Sequence, residues 1–510
     1  MAKKKGERRH EKEPQPQVEC DLDGGYQFPI RSIKDLTPEN IRAAVVHSRY
    51  AQTLLLLTIT GLVLRFYNLG YNSLWLDEAS TYTISANSFS QIWQTTAGGE
   101  FNPPLFYWTE HVMLMLGNNE IVLRFIPALL GALTIPLFYI IGKEFLDRNT
   151  GLVAAAACAF SPFLIYYSQE ARAYMMMLFF IVLATVFFLK AMRSASLKHW
   201  VLFGLFSALA FWAHFYALVM IAALVLYALI AWAPRILAEY NNLKMLVVGV
   251  VVFILLSSPL VLVTLRLFIT RTASAPTYGI QGLGIILETF RQISGFNDIA
   301  MVLLLALFVI GIIGTFRTGK DRFFFLVIVT ILTFVISYVL SFRMPMLPRY
   351  LIFLSIAFFT GIAVSYLLLY SLWRTKAVVY GFIVLLVLIN ALSLAGYYSG
   401  YSKEDWRGFS TALAGKTSPG DLVVSVPGYI SQPLDYYYSS AKSQTREYGA
   451  TTEADLEKIA AERGNSTVYF VMTGDISAAD PGGDAVAWLR NNTQFAGTDV
   501  TKEIYLLTKS

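Results

Sequence analysis

Long uninterrupted apolar runs dominate this sequence and limit what it can fold into. Four of the clearest are Met245–Leu265, Phe323–Leu340, Leu351–Leu369 and Ala377–Leu394. Each approaches or exceeds the length of about 20 residues that an α-helix needs to cross the hydrocarbon core of a bilayer. Such runs are too many and too long to be the core helices of a water-soluble domain. The sequence therefore predicts a polytopic α-helical membrane protein.

The composition agrees with this prediction. Of 510 residues, 56% are apolar or aromatic and 15% are charged, and the mean hydropathy is +0.54. Soluble domains carry about a quarter charged residues. The net charge of +6 is explained by membrane topology, and we expect no nucleic-acid partner. Cys20 and Cys158 lie far apart in the sequence and offer neither a disulfide framework nor a zinc site.

Apolar segments that could span the membrane can be placed along most of the chain. The segment 103–116 is about 21 Å long as a helix and is left out, because its Asn-Pro-Pro start suits a surface-lying or re-entrant helix. The remaining segments make eleven predicted spans, near residues 51–69, 121–142, 150–168, 173–192, 199–214, 217–233, 244–266, 299–316, 323–341, 349–370 and 376–398.

Basic residues between the spans indicate their orientation. If the N-terminus is inside, every short inside loop is basic, as the positive-inside rule expects. No cleavable signal peptide is evident, because the first apolar run starts only near Tyr50. We therefore predict a cytosolic basic tail over 1–49, a transmembrane domain over 50–398 and an outside C-terminus, in the cytoplasmic membrane of a prokaryote. The loop residues that support this are Lys143, Arg148, Arg193, Lys198, Arg235, Lys244, Arg317, Lys320, Arg322, Arg374 and Lys376.

Three regions then lie outside: the loops 70–120 and 267–298, and the tail after 399. The tail regains Asp, Glu, Ser and Gly, and it contains three short β-rich runs separated by helix-like segments. It is predicted to be a small extracytoplasmic α/β domain over 399–510. The predicted strands are Leu422–Val426, Val468–Met472 and Ile504–Leu507, and the predicted helices are Thr452–Arg463 and Ala485–Arg490.

Two adjacent carboxylates, Asp77 and Glu78, begin the first outside loop among large apolar residues. A low-dielectric setting tends to raise the pKa of a carboxyl group. A positioned carboxylate can take a proton from an attacking hydroxyl and so act as a general base. The alternative is a solvated loop pair with no chemical role.

A second charged cluster lies in the turn between two spans, in Ser168-Gln-Glu-Ala-Arg-Ala-Tyr174. Its Glu170 and Arg172 are expected on the same side of the membrane as Asp77. Ionisable residues at or within spans are costly and become functional candidates. The alternative is a local ion pair that fixes the turn.

More polar residues are expected near this surface. His214 falls where the apolar stretch 199–233 turns back, a place where a lone histidine is most often buried and bonded to backbone. Four arginines also fall near the outside, against the positive-inside trend: Arg266, Arg271, Arg343 and Arg349. We therefore expect an anionic partner there, and phosphate is the natural partner of arginine.

Several short motifs occur in one order along the chain: Leu76-Asp77-Glu78-Ala79, Asn102-Pro103-Pro104, Arg124 before Pro127 and Gly131, Ser168–Tyr174, Pro348-Arg349-Tyr350-Leu351, Lys403–Arg407 and Pro419-Gly420-Asp421. In this order they resemble the GT-C superfamily of membrane glycosyltransferases. The chain is most similar to the branch of protein O-mannosyltransferases and aminoarabinose transferases, the family 39-like enzymes. The likeness is best over about 50–220, and the Trp-Trp-Asp-Tyr-Gly run of oligosaccharyltransferases is absent.

The resemblance implies an inverting transfer of one sugar from a polyprenyl-phosphate carrier to a lipid, glycan or protein acceptor on the outer face. By position, Asp77 would be the general base, with Glu78 beside it. Glu170 matches an acidic residue that helps some relatives to bind a divalent metal. Asn102 stands where many relatives have His or a charged residue, so metal binding is left open. The candidate residues for binding the donor phosphate and substrate are Arg172, Arg271, Arg349, Tyr174 and His214.

The physical demands of such a reaction agree with this interpretation. A lipid-linked donor needs a groove between helices for its isoprenoid chain and positive charge beside its phosphate. Arginine side chains could stabilise the leaving phosphate, and so could a metal held by Glu170. The sequence leaves both possibilities open.

Two other classes of protein remain as alternatives. A multispan lipid or solute transporter, such as a flippase, would also have about a dozen spans, although transporters usually show internal repeats and none is evident here. A receptor or assembly protein would fit the outer domain, but it would leave Asp77, Glu170 and Arg172 without a role.

Overall fold

The computed structural model describes residues 21–25, 37–194, 196–233, 239–272, 275–276, 278–400, 402–438, 445–473, 476–477 and 479–508. Most of the predicted basic tail and Cys20 therefore lie outside the described residues. The described chain has a helical part followed by an α/β part. The prediction of a helical membrane protein with a small C-terminal α/β domain is confirmed.

The helical part is built from eighteen α-helices among the described residues and one well-defined 3-10 helix, Pro348–Leu354. The α-helices are α1 (Pro38–His47), α2 (Arg49–Phe66), α3 (Leu76–Ser85), α4 (Phe89–Gly98), α5 (Pro104–Met113), α6 (Glu120–Phe145), α7 (Arg148–Ala159), α8 (Pro162–Ser168), α9 (Tyr174–Ser194), α10 (Leu197–Ala213), α11 (Ala217–Trp232), α12 (Tyr240–Arg271), α13 (Gly284–Ile293), α14 (Asp298–Thr318), α15 (Lys320–Leu340), α16 (Ser355–Val364), α17 (Tyr366–Trp373) and α18 (Ala377–Tyr398).

The number of spans can be compared with the predicted eleven. Seven of the described helices are long and apolar enough to cross a bilayer, and the pair α7 and α8, bent by 57°, can make an eighth. All eleven predicted segments coincide with helices, but α10 and α11 have only 17 and 16 residues. The count of eleven therefore stays a prediction. Helix α5 has ten residues, which is too short for a span.

The apolar helices differ in how much of their surface the protein covers. The 3-10 helix, α16 and α17 follow one another as a single helical segment, Pro348–Trp373. This segment is 89% buried over its apolar part, whereas α12 is only 22% buried. On α12, Leu255, Leu262 and Ile269 are 67%, 77% and 68% exposed. Exposed leucine and isoleucine on a helix of this length are explained by contact with lipid tails, because exposing so large an apolar surface to water is unfavourable.

Pairs of glycines let three helix pairs approach closely. A methyl group on Gly311 of α14 would lie 1.8 Å from the carbonyl oxygen of Gly361 in α16. Since lipid tails are as apolar as side chains, close backbone packing of this kind is a main source of helix association in membranes. The three facing pairs are Gly142 with Gly151, Gly204 with Gly249, and Gly311 with Gly361.

The α/β part contains a mixed five-stranded sheet in the order β2-β1-β3-β5-β4, where β1 pairs in parallel with β2 and β3 and the other pairs are antiparallel. All three predicted strands are present, and β2 and β4 were not foreseen. Residues of α19 and α20 cover one face of the sheet, and residues of α21 and α22 cover the other. The elements are α19 (Trp406–Lys416), β1 (Leu422–Val426), α20 (Ser431–Tyr438), β2 (Arg446–Gly449), α21 (Glu453–Glu462), β3 (Val468–Thr473), α22 (Asp484–Asn492), β4 (Gln494–Asp499) and β5 (Lys502–Leu507), with a short 3-10 helix at Gly428–Ile430.

Candidate active site

The candidate site lies where four distant segments meet at one end of the helical part. The loop after α2 leads into α3, which carries Asp77 and Glu78. The turn 169–173 between α8 and α9, the 3-10 helix Pro348–Leu354 and the segment after α18 complete it. Asp77, Glu78, Glu170 and the two arginines Arg172 and Arg349, which the sequence suggested separately, are therefore neighbours.

Asp77 is the more accessible of the two adjacent carboxylates. Its side chain is 25% exposed, and Oδ2 lies 3.3 Å from Nη2 of Arg349. The backbone carbonyl of Asp77 accepts a hydrogen bond from Arg172 at 3.1 Å. One guanidinium group thus pairs with this partly exposed carboxylate, and a second binds the backbone of the same residue.

Glu78 is in the opposite environment, fully buried with both oxygens occupied. Arg124 binds it through Nε and Nη2, at 2.7 Å each, and the amide of Ala171 donates at 2.8 Å. Lys403 adds an ammonium group at 3.1 Å. Burial opposes ionisation, but the charges of Arg124 and Lys403 outweigh it and hold the pKa of Glu78 well below its usual range. For Glu78, the expectation of a raised pKa is therefore wrong.

Arg124 ties this carboxylate to the loop that precedes α3. Its Nη1 donates to the carbonyls of Leu69 and Asn72, at 3.0 and 2.8 Å, and its Nη2 to that of Ser73 at 2.9 Å. Arg124 is 1% exposed. The sequence showed Arg124 only as part of a motif, and its structural role is to fix Glu78 and the loop together.

Glu170 is buried beside Glu78, and it has unusual surroundings. Neither of its side-chain oxygens has a hydrogen-bond partner within the described part of the chain. Its nearest cation is Lys403, whose Nζ lies 3.7 Å from Oε2. Burial raises the pKa of Glu170, and the neighbouring charges of Glu78 and Asp77 add to the increase, while Lys403 and Arg349 oppose it.

Arg349 lies over a wall of aromatic rings. Its guanidinium carbon is 5.4, 5.9 and 5.7 Å from the ring centroids of Trp75, Tyr174 and Tyr350. Its Nε is buried and has no hydrogen-bond partner among the described residues. A cation on aromatic faces with an unused donor is suited to bind an anion.

His214 packs against the same aromatic wall, close to Tyr174, the other uncharged residue that the sequence suggested for substrate binding. Its ring centroid lies 5.6 Å from those of Tyr174 and Tyr216 and 5.5 Å from that of Tyr350. Its Nδ1 accepts a backbone hydrogen bond from Tyr216 at 3.3 Å, so it is buried and bonded to backbone, as expected of a lone histidine at this position.

Arg271 is placed apart from the other arginines. It ends α12, donates to the carbonyl of Gly99 and lies 4.0 Å from the ring centroid of Phe101. Its contacts are thus with the segment after α4 and not with Asp77. A role for Arg271 in phosphate binding stays a prediction.

The side chains around Glu170 decide whether a divalent metal could bind there. Within the described ranges, no group of three or more His, Cys, Asp or Glu side chains is arranged to hold a metal ion. The Glu78 oxygens are already bound by Arg124 and Lys403, and the Lys403 ammonium stands next to Glu170. These residues do not fit a metal centre.

The segment after α18 also binds the loop before α3, through hydrogen bonds. The Ser402 amide donates to Asn72 at 2.9 Å, and Ser73 donates its hydroxyl to Asp405 at 2.9 Å. From α20, the hydroxyl of Tyr437 accepts from the amide of Leu74 at 2.7 Å. The α/β domain therefore contacts the same short loop that leads to Asp77.

The fold and site define a polytopic membrane protein with an appended α/β domain. Its candidate site has a partly exposed carboxylate beside arginine side chains. Residues 102–262 match the sequence model of the family described as dolichyl-phosphate-mannose-protein mannosyltransferase. An uncharacterized protein of Aquifex aeolicus (strain VF5) is 33% identical over 138 residues, which is 26% of this chain. The match spans only 28% of the length of that relative.

Solved structures with the same architecture include ArnT from Cupriavidus metallidurans. Its structure bound to undecaprenyl phosphate has a TM-score of 0.58 at 15% identity and covers 89% of this chain and 97% of ArnT; its apo structure has a TM-score of 0.62. The apo oligosaccharyltransferase of Archaeoglobus fulgidus has a TM-score of 0.53 at 12% identity, over 90% of this chain and 74% of that one. The resemblance to GT-C membrane glycosyltransferases of the protein mannosyltransferase and ArnT type is confirmed.

Proposed function

We propose that this protein is a glycosyltransferase that moves a single sugar, with inversion, from a polyprenyl-phosphate carrier to an acceptor on the outer face of the membrane. The observation that carries the proposal is the partly exposed Asp77 carboxylate beside Arg349, whose Nε donor is unused among the described residues, with Arg172 bound to the backbone carbonyl of Asp77. The family match and the ArnT structure bound to undecaprenyl phosphate support the class of donor.

In the proposed mechanism, Asp77 takes the proton of the acceptor hydroxyl as that oxygen attacks the anomeric carbon of the sugar. The new bond from carbon to acceptor oxygen forms on one face while the bond to the phosphate oxygen breaks on the other. The carrier phosphate leaves with the bonding electrons and an added negative charge. Arg349 and Arg172 are positioned to stabilise that charge.

The aromatic wall positions Arg349 in this mechanism. Trp75, Tyr174 and Tyr350 hold the guanidinium group of Arg349 in place, which lowers the cost of ordering it when the phosphate binds.

Donor binding tests the proposal. Full-length protein in lipid nanodiscs is titrated with undecaprenyl phosphate, and transfer is assayed with polyprenyl-phosphate mannose and a mixture of membrane lipids and glycans as acceptors. Charge-assisted hydrogen bonds contribute about 1.5–3 kcal/mol, so Arg349→Ala is expected to weaken undecaprenyl phosphate binding about 10- to 100-fold.

The exposed Arg343, on the segment just before the 3-10 helix, provides the matched control. Arg343→Ala is expected to bind undecaprenyl phosphate as the unmodified protein does. Equal affinity in both variants would contradict the phosphate site. Mass spectrometry of lipids that copurify with the protein then identifies the sugar. Movement of the lipid across the bilayer without sugar transfer would instead favour a flippase.

A further inference from the structure

Lys403 is a buried lysine that enters the candidate site from the segment joining α18 to the α/β domain. Its side chain is 2% exposed. Its Nζ lies 3.1 Å from Oε2 of Glu78, 3.7 Å from Oε2 of Glu170 and 3.3 Å from the carbonyl of Gln169. Of its three protons, two reach Glu78 and the carbonyl of Gln169, while Glu170 lies just beyond hydrogen-bond distance. Because its neighbours are protein groups and its side chain is buried, we treat Lys403 as a residue that acts through Glu78 and Glu170.

Lys403 is the cation that lies within 4 Å of both Glu78 and Glu170. Arg124 directs Nε and Nη2 at Glu78 and its remaining contacts at backbone carbonyls, so it has no donor left for Glu170. Lys403 is the cation that both carboxylates share. Burial lowers the pKa of Lys403, but Glu78 and Glu170 oppose that change. Leaving a buried carboxylate without its cation is strongly unfavourable.

The position of Lys403 is fixed by the chain on both sides of it. Its neighbours Ser402 and Asp405 bind the loop before α3 through Asn72 and Ser73. Arg407 continues this contact, with its amide donating to Ser73 at 3.2 Å and its guanidinium to the carbonyl of Gly70 at 3.0 Å. The ammonium group and the loop that carries Asp77 are therefore held by one continuous segment.

We propose that Lys403 is a positioning residue of the transfer reaction: its ammonium group lies between Glu78 and Glu170, holds these two carboxyl groups together behind Asp77, and so makes the segment leading into the α/β domain part of the active site. This inference rests on the proposed function. The outer domain is then more than an attachment, because a side chain from the segment leading into it lies between two carboxyl groups of the site. Asp77 then keeps its place at the start of α3 because Glu78, the next residue, is anchored.

The groups that face Glu170 determine how Lys403 acts on the pH dependence. They are Asp77 and Glu78 from α3, Tyr166 and Tyr167 from α8, Arg349 from the 3-10 helix, Tyr397 from α18 and Lys403 itself. Among them, Lys403 and Arg349 favour the ionised form of Glu170, and the charge of Lys403 has the larger effect of the two. Without Lys403, Glu170 keeps a proton up to a higher pH.

The test uses full-length protein in nanodiscs, with undecaprenyl phosphate as the binding probe and polyprenyl-phosphate mannose as the donor. Lys403→Met keeps the length of the side chain and removes its charge. A displacement of about 1 Å in a catalytic group can lower a rate about 100-fold, so kcat is expected to fall about 10- to 100-fold. The KM for the donor and the affinity for undecaprenyl phosphate stay within about threefold, and the acidic limb of the kcat profile moves to higher pH.

Three variants separate positioning from a general loss of structure. Lys403→Arg restores the charge and is expected to recover part of kcat. The double variant Lys403→Met with Glu170→Gln removes the ammonium group together with the carboxyl group that would otherwise be left without its cation, and it is expected to exceed Lys403→Met in kcat and in thermal stability. Lys416→Met, which breaks an exposed ion pair with Asp499 at 2.9 Å on the same domain, is the control and leaves kcat unchanged.

The outcomes distinguish this inference from the proposed function. If unmodified protein transfers no sugar from the donor, the proposed function fails. If it transfers sugar and folded Lys403→Met has an unchanged kcat and pH profile, the positioning role is overturned. If Lys403→Met does not fold, the comparison of Lys403→Arg with the double variant decides, and a double variant no more stable than Lys403→Met would contradict the shared-cation argument.

Discussion

At the scale of single residues, Asp77 and Glu78 show how adjacent carboxylates acquire different roles. Both lie in the first turn of α3, but successive side chains on a helix point about 100° apart. Glu78 turns inward to Arg124 and Lys403, while Asp77 stays 25% exposed beside Arg349. Asp77 is therefore partly open to solvent, whereas both oxygens of Glu78 are already engaged.

Asp77→Asn keeps the shape of the side chain and removes its basicity. General-base contributions are about 10²- to 10⁴-fold, so turnover is expected to fall within that range while undecaprenyl phosphate binding persists. Steady-state kinetics and a binding titration measure the two effects. Asp298→Asn, at a side chain that is 78% exposed, serves as the control. Full turnover in Asp77→Asn would remove Asp77 from the role of base, and a greater loss in Glu78→Gln would transfer that role to Glu78.

Glu78→Gln is expected mainly to destabilise the protein. Removing one partner of a buried ion pair costs about 3–5 kcal/mol, because the other charge is left uncompensated. Thermal unfolding of the full chain in detergent measures this loss. Glu288→Gln is the control: its pair with Arg291 at 3.0 Å is partly exposed, and exposed pairs contribute about 0–1 kcal/mol. Equal stability losses in the two variants would show that Glu78 is not a structural anchor.

At the scale of elements, the helices depend on glycine where they cross and on apolar side chains where they face lipid. The facing glycines of α14 and α16 allow their backbones to touch, because neither carries a side chain at the crossing. This contact brings α14 against the buried helix Pro348–Trp373, whose first turn carries Arg349. Packing far from the site therefore supports the position of a site residue.

Gly311→Ala tests this crossing. The added methyl group would meet the carbonyl oxygen of Gly361 at 1.8 Å, and overpacking of this kind costs about 1–3 kcal/mol. A lower unfolding temperature of the full chain is expected. The control is Gly381→Ala on α18, where an added methyl group meets nothing within 4 Å and alanine favours the helix. A Gly311→Ala protein as stable as the control would contradict the close crossing.

At the scale of the whole molecule, α6 connects the two ends of the helical part. Near its start, Glu120 accepts from Arg407 and Tyr437 of the α/β domain at 2.5 Å each. At its other end, the carbonyl of Phe145 accepts from Arg322 at 2.7 Å. The 26 residues of α6 span about 39 Å. The α/β domain with the candidate site and the α14–α15 junction therefore lie at opposite ends of a membrane-length helix.

Topology reporters test the predicted orientation of these two ends. A reporter fused after Ser399 is expected to report the outside, and one inserted in Phe316–Phe323 the cytosol, because the basic loops favour the cytosolic side. Both reporters on one side would contradict the arrangement about α6. Reversed signals would keep that arrangement but place the candidate site in the cytosol, which would rule out transfer on the outer face.

Hydropathy and local patterns determined the class of this protein from the sequence alone. A run of about 20 apolar residues needs a membrane wherever it lies in the chain, and alternating β-rich runs predict strands without knowledge of their partners. The helical membrane part and the three predicted strands are confirmed for this reason. Strand β2, Arg446–Gly449, was missed because its residues are mostly polar and partly exposed, and pairing with β1 decides its conformation.

The electrostatics of the site were decided only by the tertiary structure. The sequence suggested a raised pKa for a carboxyl among apolar residues, but Arg124 and Lys403 arrive beside Glu78 from other segments and lower it. It also grouped Arg271 with Arg349, although the end of α12 directs Arg271 toward Gly99. Contacts such as Ser73 with Asp405 join residues 332 positions apart. Burial and charge act through space, so a local pattern can identify a carboxylate but cannot show which cations will surround it.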